Sequence, residues 1–445
     1  MINLFEYIDE KASDLLWSLN DSNIKNKSVV VFDNGWLNEN IISPFSFYSS
    51  AYSNTNGKPL FFNDVPVPRF WGIRGNDQLA EIYNDDAIMG KIFYHEGRVV
   101  ERVEWWHNSG ETKFIDYYNK FGHLFAKTYF HGNKPTQKSY FSPSNKEIII
   151  HNLQTDQILL NTDRSPQLFS SVTDFVCFFI KNNLEIKDYE RIIYNSLSIP
   201  LFVINQLGKD VKAALIWDEP MPQGIPGNMM NILTNYDSNT RRIFFQRQSD
   251  IRELQKNTHI RRKNIVSYLG KLYAYHSVLP KKTVKDSAVI VTNSDSIWHL
   301  QELVEALPNI QFKIMALTEM SQKLMHFEMY HNVNLVPAAT VNDILNSVNK
   351  SDYLLDINDG TEVLNVLKQG FLSHTLIFAA KSVAHNLNYV SENNIFSDNH
   401  YQMMIDKISQ TADNSLAFDE ALAKQENLFG IQGNQELYYK HLQNF

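Results

Sequence analysis

Between residues 286 and 380 the apolar positions gather into four short runs, 288–291, 312–315, 353–357 and 375–378, separated by more polar stretches of helical or loop character. A strand inside a parallel sheet is covered on both faces and is apolar almost throughout, whereas a half-exposed strand alternates. The rhythm predicts a doubly wound α/β domain whose functional edge lies at the carboxyl ends of its strands. Near the N-terminus, Ile8, Ala12, Leu15, Leu16 and Leu19 fall near one helical face, and the run 28–32 follows as a buried strand. A second α/β unit is expected to start there.

From about residue 46 to 161 the grammar changes. Gly90, Gly97, Gly110, Gly122 and Gly132 punctuate aromatic-rich runs at 91–94, 99–105, 113–118 and 126–130. Turn signals at that spacing predict an antiparallel meander inserted in the first α/β unit. Beyond it, 172–180 is strongly apolar, 189–197 reads as helical, 200–204 and 213–217 read as returning α/β elements, and 242–245 as a strand. The Pro- and Gly-rich stretch 218–227 reads as a shaped loop. The expected architecture is α/β with two Rossmann-like domains. Residues 1–45 open the N-terminal one, 46–161 form the inserted aromatic-rich β-meander domain, 162–275 complete the N-terminal domain, and 276–445 form the C-terminal domain and terminal helices.

Length agrees with more than one domain, since 445 residues exceed what a single core usually supports. A composition 43% hydrophobic and 20% charged is that of a soluble globular chain, and a net charge of -8 gives no support for nucleic acid as a partner. The single cysteine, Cys177, sits in an apolar run and excludes an internal disulfide, which fits a buried thiol in a reducing compartment. The acidic N-terminal stretch does not resemble a secretory signal, and no uncharged apolar run approaches the ~20 residues of a spanning helix. The expected location is cytoplasmic, with at most a peripheral contact to the inner face of the membrane.

Candidate chemistry is sparse. The histidines at 95, 107, 123 and 131 lack the spacing of a metal site, and neither a P-loop nor a nucleophile elbow is present. Asp33, Asn34 and Trp36 follow the first predicted strand; Trp217, Asp218 and Glu219 follow a later one; Asp356, Asn358 and Asp359 follow a strand of the C-terminal half. Residues at such ends either form ordinary turns or line a groove that hydrogen-bonds a ligand. Phe70, Trp71, Trp105, Trp106, Tyr117, Tyr118, Tyr129 and Phe130 either pack the meander or present a partner-binding face. The basic segment Arg241, Arg242, Arg247, Arg252, Lys256, Arg261, Arg262 and Lys263 reads first as a solvated helical surface, with a protein interface, phosphate or lipid contact as alternatives.

Two α/β halves around a cleft resemble a glycosyltransferase of the GT-B architecture. The closer resemblance is to the accessory, stabilising subunit of the bacterial O-GlcNAc transferase pair that glycosylates serine-rich-repeat adhesins before export. It is carried by residues 1–5 (MINLF), the strand and turn at 29–36, the aromatic meander, and 355–362 (LDINDGTE). The resemblance covers essentially the whole chain. It implies a GT-B-like fold and no catalytic residue, metal or cofactor of its own. Its implied partners are the catalytic transferase subunit, through the inserted sheet with Trp71, Trp105, Trp106, Tyr117 and Tyr118, and the adhesin polypeptide.

Departures from an active retaining transferase fit that division of labour. No basic pair follows the strand at 288–291, and Asn365 and Ile357 stand where the family pattern of active enzymes, counted back from Gly370, expects acids. An amide supplies no negative charge and an isoleucine no hydrogen bond, and a developing diphosphate charge without cations goes unstabilised. A shifted alignment that uses Asp356, Asp359 or Glu362 would instead give an autonomous retaining nucleotide-sugar transferase, the alternative reading.

Overall fold

The computed structural model describes the chain apart from residues 77–78, 96–97, 163–164, 222–223, 258, 276–284, 429–432 and 444, and describes only the backbone of 253, 255 and 256. The expected turn at Gly97, part of the 218–227 loop, the side chain of Lys256 and residue 276 at the expected domain boundary lie outside the described residues. The chain forms two compact units, Met1–Leu269 with Gln435–Phe445, and Gly270–Asn434. It is a mixed α/β protein with two parallel sheets and one antiparallel sheet.

The first unit is built on a seven-stranded parallel sheet in the order Val266–Tyr268, Thr240–Phe245, Lys212–Trp217, Arg191–Tyr194, Ile2–Phe5, Lys27–Val30, Ile41–Ile42. The chain starts in the middle, moves to one side, and after the meander returns to fill the other. The direction of winding therefore reverses between Ile2–Phe5 and Arg191–Tyr194, which opens a crevice outside the strand carboxyl ends. Helix Glu10–Asp21 covers the sheet with Ala12, Leu15 and Leu19, and Asp9 caps it by accepting from the Ala12 N–H at 2.8 Å.

Two sequence expectations needed tertiary context. The run 189–197, expected to be helical, contains the strand Arg191–Tyr194, whose Ile192, Ile193 and Tyr194 are fully buried. A fully covered strand shows no alternation, so only its pairing with two neighbours distinguishes it from a buried helix turn. The run 200–204 lies in the helix Ile199–Leu207, which Pro200 opens from its first turn. Ile2–Phe5, read only as part of a resemblance, is an interior strand, paired with Arg191–Tyr194 on one side and Lys27–Val30 on the other.

Ten antiparallel strands run in simple meander order from Gly72–Gly75 to Gln167–Phe169. One face shares a core with the parallel sheet, through Ala126, Tyr140, Ile149, Ile158 and Leu160, with Phe45 of the helix Pro44–Ser49 stacked on Tyr140. The other face buries Ala80, Ile82, Ile92, Val103 and Tyr118 beneath Leu60, Phe62, Val67, Trp71 and Ile73. Adjacent Tyr117 and Tyr118 accordingly belong to different cores, as strand alternation requires.

The second unit carries a six-stranded parallel sheet, ordered Val333–Val336, Gln311–Met315, Ser287–Val291, Tyr353–Asp356, Leu376–Ala380, Ile395–Phe396. Its four central strands are the four apolar runs that stand out along the chain. Winding reverses here between Ser287–Val291 and Tyr353–Asp356. Gly370 lets helix Val366–Leu372 lie on the sheet, since a Cβ there would meet Leu354 at 2.7 Å. Among the described residues no helix is long and apolar enough to cross a membrane.

Candidate functional site

The reversal point of the first unit is an open crevice of about 190 Å³. Its walls are the residues that follow four neighbouring strands: Glu6 and Tyr7, Asn195 and Ser196, Asp218 and Glu219, and Gln246. Glu6 accepts hydroxyl hydrogen bonds from Ser196 at 2.9 Å and Ser198 at 3.3 Å, which fix its carboxylate at the rim. Arg247 holds the Asp218 backbone, donating from Nε to its carbonyl at 3.0 Å. Gln246 is fixed from below by a 3.0 Å bond to the hydroxyl of Tyr438 on the C-terminal helix Gln435–Gln443. With Glu6, Asp9, Asp218 and Glu219 set against Lys11, the lining favours neutral hydroxyl and amide donors over a diphosphate.

Of the residues singled out from the sequence, Asp218 and Glu219 line this crevice, whereas Trp217 lies buried within the sheet core. Asp33 and Trp36 go elsewhere in the unit, toward the meander. Asp33 is buried and accepts from the Tyr52 hydroxyl and the Gly35 N–H, both at 2.7 Å. Burial pushes its carboxyl above the usual range despite these bonds, and burial pushes the Lys138 ammonium on a meander strand down to about 8, against the pull of Asp33. Trp36 stacks on His95 with ring centroids 4.0 Å apart, and exposed Asn34 accepts from the Trp36 N–H. Sequence reasoning missed Glu6, Tyr7, Asn195, Ser196 and Gln246. The available signal was position directly after a strand: it was lost for Glu6, Tyr7, Asn195 and Ser196 because neither Ile2–Phe5 nor Arg191–Tyr194 reads as a strand from sequence, whereas Gln246 directly follows the strand expected at 242–245 and was passed over.

The corresponding crevice of the second unit is filled by its own loops, leaving about 10 Å³, room for no more than one water. Asn358, fully buried, lies 2.7 Å from the Thr292 hydroxyl through Oδ1 and donates to Asn293 Oδ1 at 3.2 Å and to the Thr361 carbonyl at 3.1 Å. Asn293 Oδ1 also accepts from the Thr361 N–H, and a side chain at Gly360 would collide with it. Asp356 accepts from the His385 backbone N–H at 2.9 Å and from its Nδ1 at 2.6 Å, while Nε2 lies 3.1 Å from the Gly360 carbonyl. Burial alone would lower the His385 value, but the Asp356 bond and charge, the Gly360 carbonyl and Glu362 outweigh it and raise it. Asp359 alone of the predicted trio here is exposed. Ile357 is fully buried, and Asn365 sits in a left-handed conformation at the start of a helix.

In the meander, Trp105 donates its indole N–H to Asp116 at 3.0 Å, and Lys127 pairs with the same carboxylate at 3.1 Å. Trp71 and Trp105 pack on the outer core beside Tyr118, Trp106 is half-buried with Lys91 near its ring, and Tyr117 is half-buried under Lys138. Phe70 and Phe61 stand clear of it, 86% and 47% exposed. In the basic segment, Arg262 is a core residue that donates to the carbonyls of Ile232, Asn235 and Thr240, so it does not belong to a solvated surface.

Fold and site define a mixed α/β protein with an open crevice at one sheet reversal and a self-filled crevice at the other. Four family models match in succession: the GtfB N-terminal domain over residues 2–48, the GtfB middle domain over 71–170, the GtfB third domain over 172–256, and the GftB/GlyA-F C-terminal domain over 288–425. The chain is 36% identical over 409 residues, 91% of each chain, to the UDP-N-acetylglucosamine–peptide N-acetylglucosaminyltransferase stabilizing protein GtfB of Streptococcus agalactiae. It is 32% identical to the protein of the same description from Streptococcus gordonii, over 96% of this chain and 93% of that one. A chain in a crystal structure of a GtfA/B complex bound to UDP and GlcNAc superposes over the full length of both, with a TM-score of 0.88 and 30% identity. The chain belongs to the GtfB family. Its role is that of a non-catalytic accessory and stabilising protein, which sets aside the reading as an autonomous transferase.

Proposed function

We propose that the chain is the acceptor-handling subunit of a protein O-GlcNAc transferase complex that modifies serine-rich-repeat adhesins before export. Its two Rossmann-like domains pair in the GT-B manner, with residues 46–161 as a domain inserted between 1–45 and 162–275, and with 276–434 as the second half, the expected 276–445 being shortened because Gln435–Phe445 returns to the first unit. The observation that carries the reading is the Glu6 carboxylate accepting two serine hydroxyls at the rim of an open, acidic crevice. An unfolded serine-rich polypeptide presents that same hydroxyl repeatedly, so many weak engagements add up through effective concentration. Asp218 and Glu219 extend the acceptor surface, and exposed Asn34 and Asp359 offer polar groups at other strand ends. The catalytic subunit docks on the meander around Phe70, Trp71 and Trp106, where large rigid side chains reach the surface. The complex works in the cytoplasm, with the exposed Arg261 and Lys263 contributing to a peripheral contact with an anionic membrane face.

Coexpression with a catalytic transferase subunit tests this. The partner's soluble yield and its modification of a serine-rich acceptor are expected to fall sharply when the chain is omitted, and E6Q combined with E219Q is expected to weaken acceptor binding while sparing association. No association, together with no effect on solubility or modification, would count against the proposal.

A further inference from the structure

A cavity of about 130 Å³ lies in the second unit, where the helices Tyr401–Asp413 and Ser415–Glu426 run side by side and the segment 391–394 forms a third wall. Lys407 and Gln410 stand one turn apart on the first helix. On the second, Ala417, Glu420, Ala421 and Lys424 follow at three- and four-residue spacing, so each set shares one helix face. We infer that this cavity binds a phosphate group, gripped by the ammonium groups of Lys407 and Lys424 and by the hydroxyl of Ser391. Such a site belongs to a different unit from the acidic crevice and does not depend on acceptor handling.

Lys407 does not swing out into solvent as a surface lysine does. Its half-buried ammonium donates to the Asn393 carbonyl at 2.6 Å, and among the described residues its other two hydrogens have no acceptor. Lys424, exposed in the last turn of the second helix, lines the same space and makes no ion pair among the described residues. Burial and the Lys424 charge hold the Lys407 ammonium below its usual range, as expected where two cations face one small space. Ser391 is only 6% exposed and lines the cavity, and among the described residues its hydroxyl makes no hydrogen bond, which leaves it free to donate inward. Glu420 is the one carboxylate among the lining residues, so against two ammonium groups the lining stays net cationic. A phosphate group offers three strong acceptor oxygens in a tetrahedral spread to these three donors, whereas a carboxylate offers two in a plane. The small side chains of Ala417 and Ala421 leave the wall low enough for an oxyanion. The volume falls well below the ~300–1,000 Å³ of sites for drug-sized molecules, which leaves no room for a whole nucleotide.

The test titrates the full chain with inorganic phosphate at constant ionic strength, followed by phosphorus NMR. Saturable binding is expected with a dissociation constant on the order of millimolar, as so small a ligand allows. Lys407→Gln should weaken it about tenfold, and Lys424→Gln and Ser391→Ala several-fold each. Glu420→Gln should tighten it several-fold, a gain that a damaged fold cannot imitate. Positions 420 and 424 are exposed, so their variants should melt at the unsubstituted temperature in chloride buffer. Cosedimentation with phosphatidylcholine vesicles, with and without added phosphatidic acid, separates the sources of the group. Capture by the acidic vesicles alone, weakened by K407Q, assigns the site to a lipid headgroup; phosphate binding without capture assigns it to a free phosphate, and either result upholds the site. Absence of saturation, equal binding of acetate, or phosphate binding unchanged by both K424Q and E420Q would overturn it.

Discussion

Replacing Asn358 by alanine tests whether the second unit's crevice is held shut by its own side chains. The substitution removes three polar contacts at 2.7, 3.2 and 3.1 Å from a residue 2% exposed. The Thr292 hydroxyl keeps the Ser294 carbonyl and Asn293 Oδ1 keeps the Thr361 N–H, so the loss stays near the ordinary net worth of about 1 kcal/mol per bond, or about 3 kcal/mol together. For a unit the size of Gly270–Asn434, each kcal/mol lowers the midpoint by about 2–4 °C, which gives a fall of about 6–12 °C. Scanning calorimetry on the purified chain should assign that fall to one of its transitions, because two units need not melt together. Below the lowered midpoint, sugar transfer by the complex should match that of the unsubstituted chain. A fall under about 1 °C would refute the idea that the Asn358 network closes the crevice, and loss of transfer at low temperature by a folded variant would mean that the crevice takes part in chemistry.

Gly35→Ala should destabilise the first unit by roughly 2–5 kcal/mol in denaturant titration, since it combines about 1–2 kcal/mol of left-handed backbone strain at φ +88° with about 1–3 kcal/mol of overpacking from a Cβ 2.6 Å from the Phe125 ring. His385 has its folded value raised, so its stabilising contribution is complete below about pH 6.5 and is lost as pH rises through the folded value. H385N should flatten the fall in melting temperature that sets in as pH rises above about 6.5; an unchanged profile would disprove the assignment. Cys177 is 4% exposed, donates weakly to the Val203 carbonyl and has its thiol pushed up to about 12 by burial, so a disulfide reagent at about pH 8 should label it only after unfolding.

The chain's own pattern determined the four central strands of the second unit and the meander, because a strand covered on both faces must be apolar throughout and a hairpin must turn on residues such as Gly110, Gly122 and Gly132. It also marked Asp218 and Glu219 as strand-end acids. Tertiary structure alone decided that Arg191–Tyr194 is a strand, since its neighbours in the sheet lie far away in the chain, at Ile2–Phe5 and beyond Val211. With that strand hidden, the crevice it borders was hidden as well. Burial likewise settled what residue type left open: Asp33 and Trp217 have the chemistry of ligands, yet packing turns both away from solvent. Local propensity is written in spans of a few residues, whereas a site is assembled from groups whose proximity depends on every strand between them.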